Sequence, residues 1–179
     1  MKIGLLSDTH SRLEQGIFDH FADCDQIWHA GDIGNVETAD TLEAFKPFRA
    51  VHGNIDGHDL RIRYPKELSF ICGGISIYMV HIGGYPGKYP AWLKKKLAYL
   101  RPTLFICGHS HILKVMYDKE INTLHINPGA CGTHGWHQFK TLIRFSIINK
   151  QIKNLEVVEL GKRGTIMPED REPEEENDY

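Results

Sequence analysis

The chain has 179 residues, 41% of them hydrophobic, and a formal net charge of −2; that is enough for one domain with a substantial core and marginal for two. Its longest apolar runs, at 3–6 and 75–80, fall far short of the roughly 20 residues that cross a bilayer as a helix. Too few apolar residues follow Lys2 for the h-region of a signal peptide, so a cytoplasmic location and no membrane partner are expected.

Residues 2–6 read as a buried strand that stops at Ser7-Asp8-Thr9-His10. Ser11 followed by Glu14 has capping-box spacing and predicts a helix through about Phe21. Residues 26–30 form the next strand, ending at Gly31-Asp32. A helix over 36–45 follows, then a strand at 48–51 that stops at Gly53-Asn54. Strand–helix–strand–helix–strand is the pattern of a parallel α/β sheet.

Beyond it, runs at 68–71 and 75–80 flank Gly73-Gly74 and predict a hairpin. A helix over 90–100 opens at Pro90, and its Lys94, Lys95 and Lys96 read as a solvated face. Residues 103–107 form a strand that runs into Gly108-His109-Ser110-His111. Strands at 113–117, 123–126, 141–148 and 152–160 complete the pattern. No repeat or linker interrupts residues 1–161, so one domain is expected, with two facing sheets and helices outside.

From Pro168 to Tyr179 seven acidic residues stand against one basic residue, a net of −6. Residues 162–179 are accordingly expected to be an acidic, disordered tail. The 167 residues before that stretch carry 20 basic and 16 acidic side chains, a net of +4. That balance suits an anionic substrate and is too small to argue for nucleic acid. Cys24, Cys72, Cys107 and Cys131 show no paired short spacing, which argues against a CxxC zinc module or a disulfide framework.

Asp8, Asp32, Asn54, His81 and His109 all fall at or just past the C-terminal end of a predicted strand. That edge of an α/β sheet is where ligands bind, because its loops converge. Asp8-Thr-His10 and His109-Ser-His111 each space two ligands two apart, so extended backbone would aim both to one side. Two carboxylates, one amide oxygen and four imidazoles suit a divalent first-row ion such as manganese, iron, zinc or nickel. The lack of thiolate argues against a structural zinc site. Seven ligands exceed the needs of one ion and would serve two that share a carboxylate, about 3.5–4 Å apart. Taken singly, Asp8 is a capping aspartate, Asn54-Ile55-Asp56-Gly57 a turn and His81 a core histidine. Five such coincidences at one edge favour metal.

The set Asp8-Thr-His10, Gly31-Asp32, Gly53-Asn54, His81 and Gly108-His109-Ser110-His111 resembles the calcineurin-like metallophosphoesterases over residues 2–160. The short length is most similar to their compact bacterial and archaeal phosphodiesterase branch, whose fold a eukaryotic retromer scaffold subunit shares. The resemblance implies a four-layer α/β/β/α sandwich with two facing mixed β-sheets. It assigns Asp8, His10 and His111 to a first ion, Asn54, His81 and His109 to a second, and Asp32 to both. It implies catalytic parts for Asp32, Asn54 and His109, a hydroxide between the ions as nucleophile, and manganese as the leading metal. The substrate it implies is a small-molecule phosphoester, a diester ahead of a monoester.

Two positions depart from the family pattern. Ile55 stands where the larger family has a leaving-group histidine, which the compact branch often lacks too, and His81-Ile82-Gly83 replaces His-Gly-His. Substrates with good leaving groups are therefore favoured, with His58, His134 and His137 as substitutes for the missing acid. Two alternatives stay open: a non-catalytic scaffold, and a metal-dependent nuclease, which the modest charge and lack of a basic, aromatic-interleaved strip disfavour. His20, His29, His52 and His125 read as structural or solvent-facing, and Trp28, Trp92 and Trp136 as core or lid. Asn127-Pro128-Gly129 matches a turn that the family places near the metals. Nothing in the sequence fixes the oligomeric state.

Overall fold

Two five-stranded sheets face each other in the computed structural model, which describes residues 1–164. The first contains β1 (Lys2–Leu6), β2 (Gln26–His29), β3 (Phe48–Ala50), β9 (Phe139–Ile148) and β10 (Gln151–Lys162), in the order β10-β9-β1-β2-β3. The second contains β4 (Glu67–Cys72), β5 (Ile75–Val80), β6 (Leu104–Ile106), β7 (Lys114–Asp118) and β8 (Thr123–Asn127), in the order β4-β5-β6-β8-β7. Both are mixed. Strands β1, β2 and β3 run parallel, as do β5, β6 and β8, while β9 pairs antiparallel with β1 and β10, β4 with β5, and β7 with β8. Four helices, α1 (Gln15–Phe21), α2 (Val36–Phe45), α3 (His58–Arg63) and α4 (Ala91–Leu100), connect them.

Side-chain alternation along the strands sets the layers. Ile3 and Leu5 point between the sheets and pack with Trp28, Met79, Ile106, Ile126 and Phe145. Leu6, Ile27 and Leu142 point outward onto Ile17, Phe21 and Leu42 of α1 and α2. On the other side, Tyr78 and Phe105 meet Leu93 and Leu97 of α4. The result is the expected α/β/β/α sandwich, each fully buried aliphatic side chain contributing about 1.5–3 kcal/mol. The Gly73-Gly74 turn has φ of +56° and +80°, the two left-handed residues that a type I′ hairpin demands.

Three expectations shift. Ser11 is not the cap of α1: its φ is +66°, its N–H bonds the Ile33 carbonyl, and the helix starts after Glu14 without a side-chain cap. The Glu14 carboxylate is drawn instead into a buried pair with Lys140, whose Nζ donates to both oxygens at 2.6 Å. The short helix α3 was not legible, because six residues with Leu60 as their buried one carry no periodicity. Strand β10 ends at Lys162, one residue past the expected domain boundary; the tail from residue 165 lies outside the described residues. Among those described, no helix is long and apolar enough to cross a membrane.

Candidate metal centre

All seven predicted residues meet at one edge of the sandwich. Parallel strands end there together, and each chain reversal delivers a ligand one to four residues on: Asp8 after β1, Asp32 after β2, Asn54 after β3, His81 after β5 and His109 after β6. The backbone at this edge is not extended as the two-residue spacing suggested. Asp8, His10, Asp32, His109 and His111 have φ between +48° and +66°. The left-handed region costs a non-glycine residue on the order of 1–3 kcal/mol, and such strain persists where surrounding structure enforces it, typically at functional sites.

The side chains form two groups, each offering three ligand atoms within 4.8 Å of one another: Asp8, His10 and His111, and Asp32, His81 and His109. His109 and His111, two apart in sequence, therefore serve different groups rather than one side. Asn54 joins the second, its Oδ1 3.1 Å from His81 Nε2. Asp32 spans both, with Oδ1 3.2 Å from His81 Nε2 and Oδ2 3.7 Å from His10 Nε2. Asp8 Oδ1 lies 3.2 Å from His111 Nε2 and 4.0 Å from His81 Nε2.

Donor chemistry shows that these groups fit cations. His81 Nδ1 donates to the Ala30 carbonyl at 2.8 Å, which in the neutral ring leaves Nε2 as a lone pair facing two further acceptors, Asn54 Oδ1 and Asp32 Oδ1. Three acceptors then converge on one point, which a proton on Nε2 or a metal ion reconciles, and a bound ion takes the proton's place. Asp8 Oδ1 and His10 Nε2 are buried without a hydrogen-bond partner among the described residues, a costly state unless something charged is bound. Burial opposes charge on Asp32, yet the His81 hydrogen bond and charge, the Ile55 N–H and His10 outweigh it and hold the carboxyl at about 2. Burial likewise opposes the imidazolium of His81, but Asp32 and Asp8 raise its pKa overall. At His10, burial wins and lowers the pKa despite Asp32 and Asp8.

Around this set lies a supporting layer that the sequence concealed. Asp56, 2% exposed, accepts from Gly34 N at 2.8 Å and Gly53 N at 2.7 Å, clamping the loops after β2 and β3 together. His29, also buried, accepts from Gly31 N at Nδ1, so its Nε2–H donates to Thr9 Oγ1, whose hydroxyl in turn donates to the Ile33 carbonyl. Burial holds His29 neutral, with a pKa of about 4. It is a structural histidine, not a solvent-facing one. Asn127 braces the His109 loop by donating to the Gly108 carbonyl at 2.8 Å and Ser110 Oγ at 3.1 Å. The Asp-Gly pair at 56–57 was the one available signal for Asp56, and it reads equally as a plain turn.

Of the substitute acids, His134 is exposed with its ring 4.7 Å from that of His10, and His137 lies 5.2 Å from His111 with Nε2 bonded to the Gly132 carbonyl. His58 opens α3 on the exposed surface. The four cysteines are buried and free, and burial pushes Cys107 up to about 12, so it remains a thiol. Trp28 is core, whereas Trp136 is fully exposed and Trp92 half-exposed beside the site.

Residues 1–150 match the calcineurin-like phosphoesterase superfamily domain. A probable metallophosphoesterase of Methanothermobacter thermautotrophicus is 30% identical over 137 residues, covering 73% of this chain and 77% of that protein. One from Methanocaldococcus jannaschii is 32% identical over 139 residues, covering 73% and 68%. The fold superimposes on a predicted phosphoesterase of Streptococcus pneumoniae with a TM-score of 0.69 at 20% identity, covering 88% of each chain. It also superimposes on zinc-bound Vps29 of Entamoeba histolytica with a TM-score of 0.67 at 17% identity, covering 89% of this chain and 99% of that one. The matched span contains all seven edge residues, and with it the chain belongs to the calcineurin-like phosphoesterase superfamily.

Proposed function

We propose that this chain hydrolyses a phosphoester, a diester ahead of a monoester, with two divalent cations held by seven side chains. Asp8, His10 and His111 would hold one ion and Asn54, His81 and His109 the other. The observation that carries the reading is the division of Asp32, whose two oxygens face different groups. The metal identity we favour is manganese, with iron, zinc and nickel as alternatives that the same oxygen and nitrogen ligands accept. Such a pair, when bound, lowers the pKa of water between the ions and neutralises charge on the phosphoryl oxygens.

The protein's own contribution is orientation. Ala30 O aims His81, Asp56 fixes the Asn54 and Asp32 loops, and Asn127 fixes the His109 loop, so the ligands stand in place before substrate arrives. Ile55 offers no proton to a leaving group, so esters of acidic alcohols react fastest. A less acidic alcohol takes its proton from another group at the site, for which His134, exposed with its ring 4.7 Å from that of His10, is placed. Turnover of bis-p-nitrophenyl phosphate and p-nitrophenyl phosphate with manganese, in wild type and Asp32→Ala, tests this. The diester is expected to turn over faster and the variant to lose at least about 100-fold; equal rates in both proteins would refute the assignment. The fold likeness to Vps29 favours a second reading, a non-catalytic scaffold, which predicts that neither ester is turned over by metal-loaded protein.

A further inference from the structure

Beside the second group of ligands lies a cavity of about 530 Å³. Asn54 and His81 form part of its wall, so it continues from the proposed ion site. Arg61 from α3, Lys66 before β4, Ile82, and Trp92 near the start of α4 line the remainder. Pockets of about 300–1,000 Å³ hold small organic ligands, and this one is far larger than a phosphate needs.

The walls differ in chemistry. Trp92 is 49% exposed and Ile82 46%, apolar surfaces that a flat ring would cover. Arg61 and Lys66 supply positive charge, and among the described residues neither has a carboxylate within ion-pair reach. Glu67, the acid on this wall, is already engaged by Lys96 Nζ and Tyr78 Oη. Arg61 is also preorganised: its Nε donates to the Asp56 carbonyl at 2.7 Å and its Nη2 to the Asn54 carbonyl at 2.9 Å. The other N–H groups of the fork stay available to an anion.

We propose that this cavity is the subsite for a nucleotide half of the substrate, its base on Trp92 and a second, non-reacting phosphate between Arg61 and Lys66. This rests on the phosphodiesterase reading and narrows it to short, 5′-phosphorylated oligonucleotides such as a phosphorylated dinucleotide. An aliphatic phosphodiester would leave the indole face unused. A lone phosphate would leave most of the volume unfilled.

Two measurements decide it. In EDTA-treated protein, adenosine 5′-monophosphate titrated by calorimetry is expected to bind saturably, and roughly 10-fold more weakly to Trp92→Ala and to Lys66→Gln. Equal binding by all three proteins, no binding by wild type, or equally tight binding of glycerol 3-phosphate overturns the proposal. In manganese-loaded protein, a dinucleotide with a 5′-phosphate is expected to have a KM roughly 10-fold below its unphosphorylated counterpart. In Lys66→Gln that ratio collapses to about one; a ratio unchanged by the substitution overturns the proposal. Failure of wild type to hydrolyse bis-p-nitrophenyl phosphate would instead remove the phosphodiesterase reading, while the calorimetry still decides the cavity.

Discussion

Gly53 packs so tightly on Asp32 that a Cβ at residue 53 would lie 2.0 Å from the carboxylate oxygen Oδ1. The glycine is there for the close approach, since it is what lets the β3 loop deliver Asn54 beside the carboxylate proposed to serve both ions. Gly53→Ala must displace Asp32 or its loop. We expect folded protein with at least about 10-fold weaker metal affinity, read by metal titration alongside circular dichroism. Unchanged affinity would mean that the position of Asp32 is unimportant.

The Asp56 carboxylate ties Gly34 N to Gly53 N. Asp56→Ala leaves two N–H groups without their acceptors and should cost roughly 2–4 kcal/mol, measured by urea denaturation. Asp56→Asn retains one acceptor oxygen and should lose less. Metal affinity is expected to fall with both, although Asp56 is not among the proposed ligands.

Buried Lys140 of β9 holds Glu14 at the start of α1, with side-chain exposures of 0% and 3%. Removing Lys140 leaves the buried Glu14 only the longer contact to Arg12 Nε at 3.6 Å, so Lys140→Met should destabilise towards the lower end of about 3–5 kcal/mol. The double substitution Lys140→Met with Glu14→Leu should recover much of that loss. A double-mutant cycle in denaturant checks both numbers, and additive losses would contradict the pair.

His125 is fully buried, neither ring nitrogen has a hydrogen-bond partner among the described residues, and burial, reinforced by Lys114, lowers its pKa to about 4. The unfolded chain, titrating near 6.5, binds the proton first as pH falls. Stability is therefore full above about pH 6.5 and declines towards pH 4, by on the order of 3 kcal/mol from this group. His125→Leu should flatten that part of the profile, measured as denaturation midpoint against pH. Parallel profiles for the two proteins would show that His125 is not the source.

Much of this was legible because strand ends and ligand types repeat on a regular schedule. Asp8, Asp32, Asn54, His81 and His109 follow apolar runs, and a parallel sheet puts such positions on one edge whatever the details of the loops. The left-handed backbone at Asp8, His10, Asp32, His109 and His111 was not legible, because aspartate and histidine tolerate that region better than most residues yet adopt it only where the surrounding structure enforces it. The separation of His109 from His111 between groups follows from that backbone. Ser11 and Glu14 misled because the capping pattern is local, while Lys140 draws the carboxylate from 126 residues away. Asp56 and His29 act through main-chain amides, which a sequence does not display.

The number of metal ions per chain tests the sharing of Asp32 most directly. Elemental analysis of manganese-loaded, desalted protein should give two ions for wild type and fewer than two for Asp32→Ala with the fold intact. One ion or none in wild type, or two retained by the variant, would contradict a carboxylate shared between two cations.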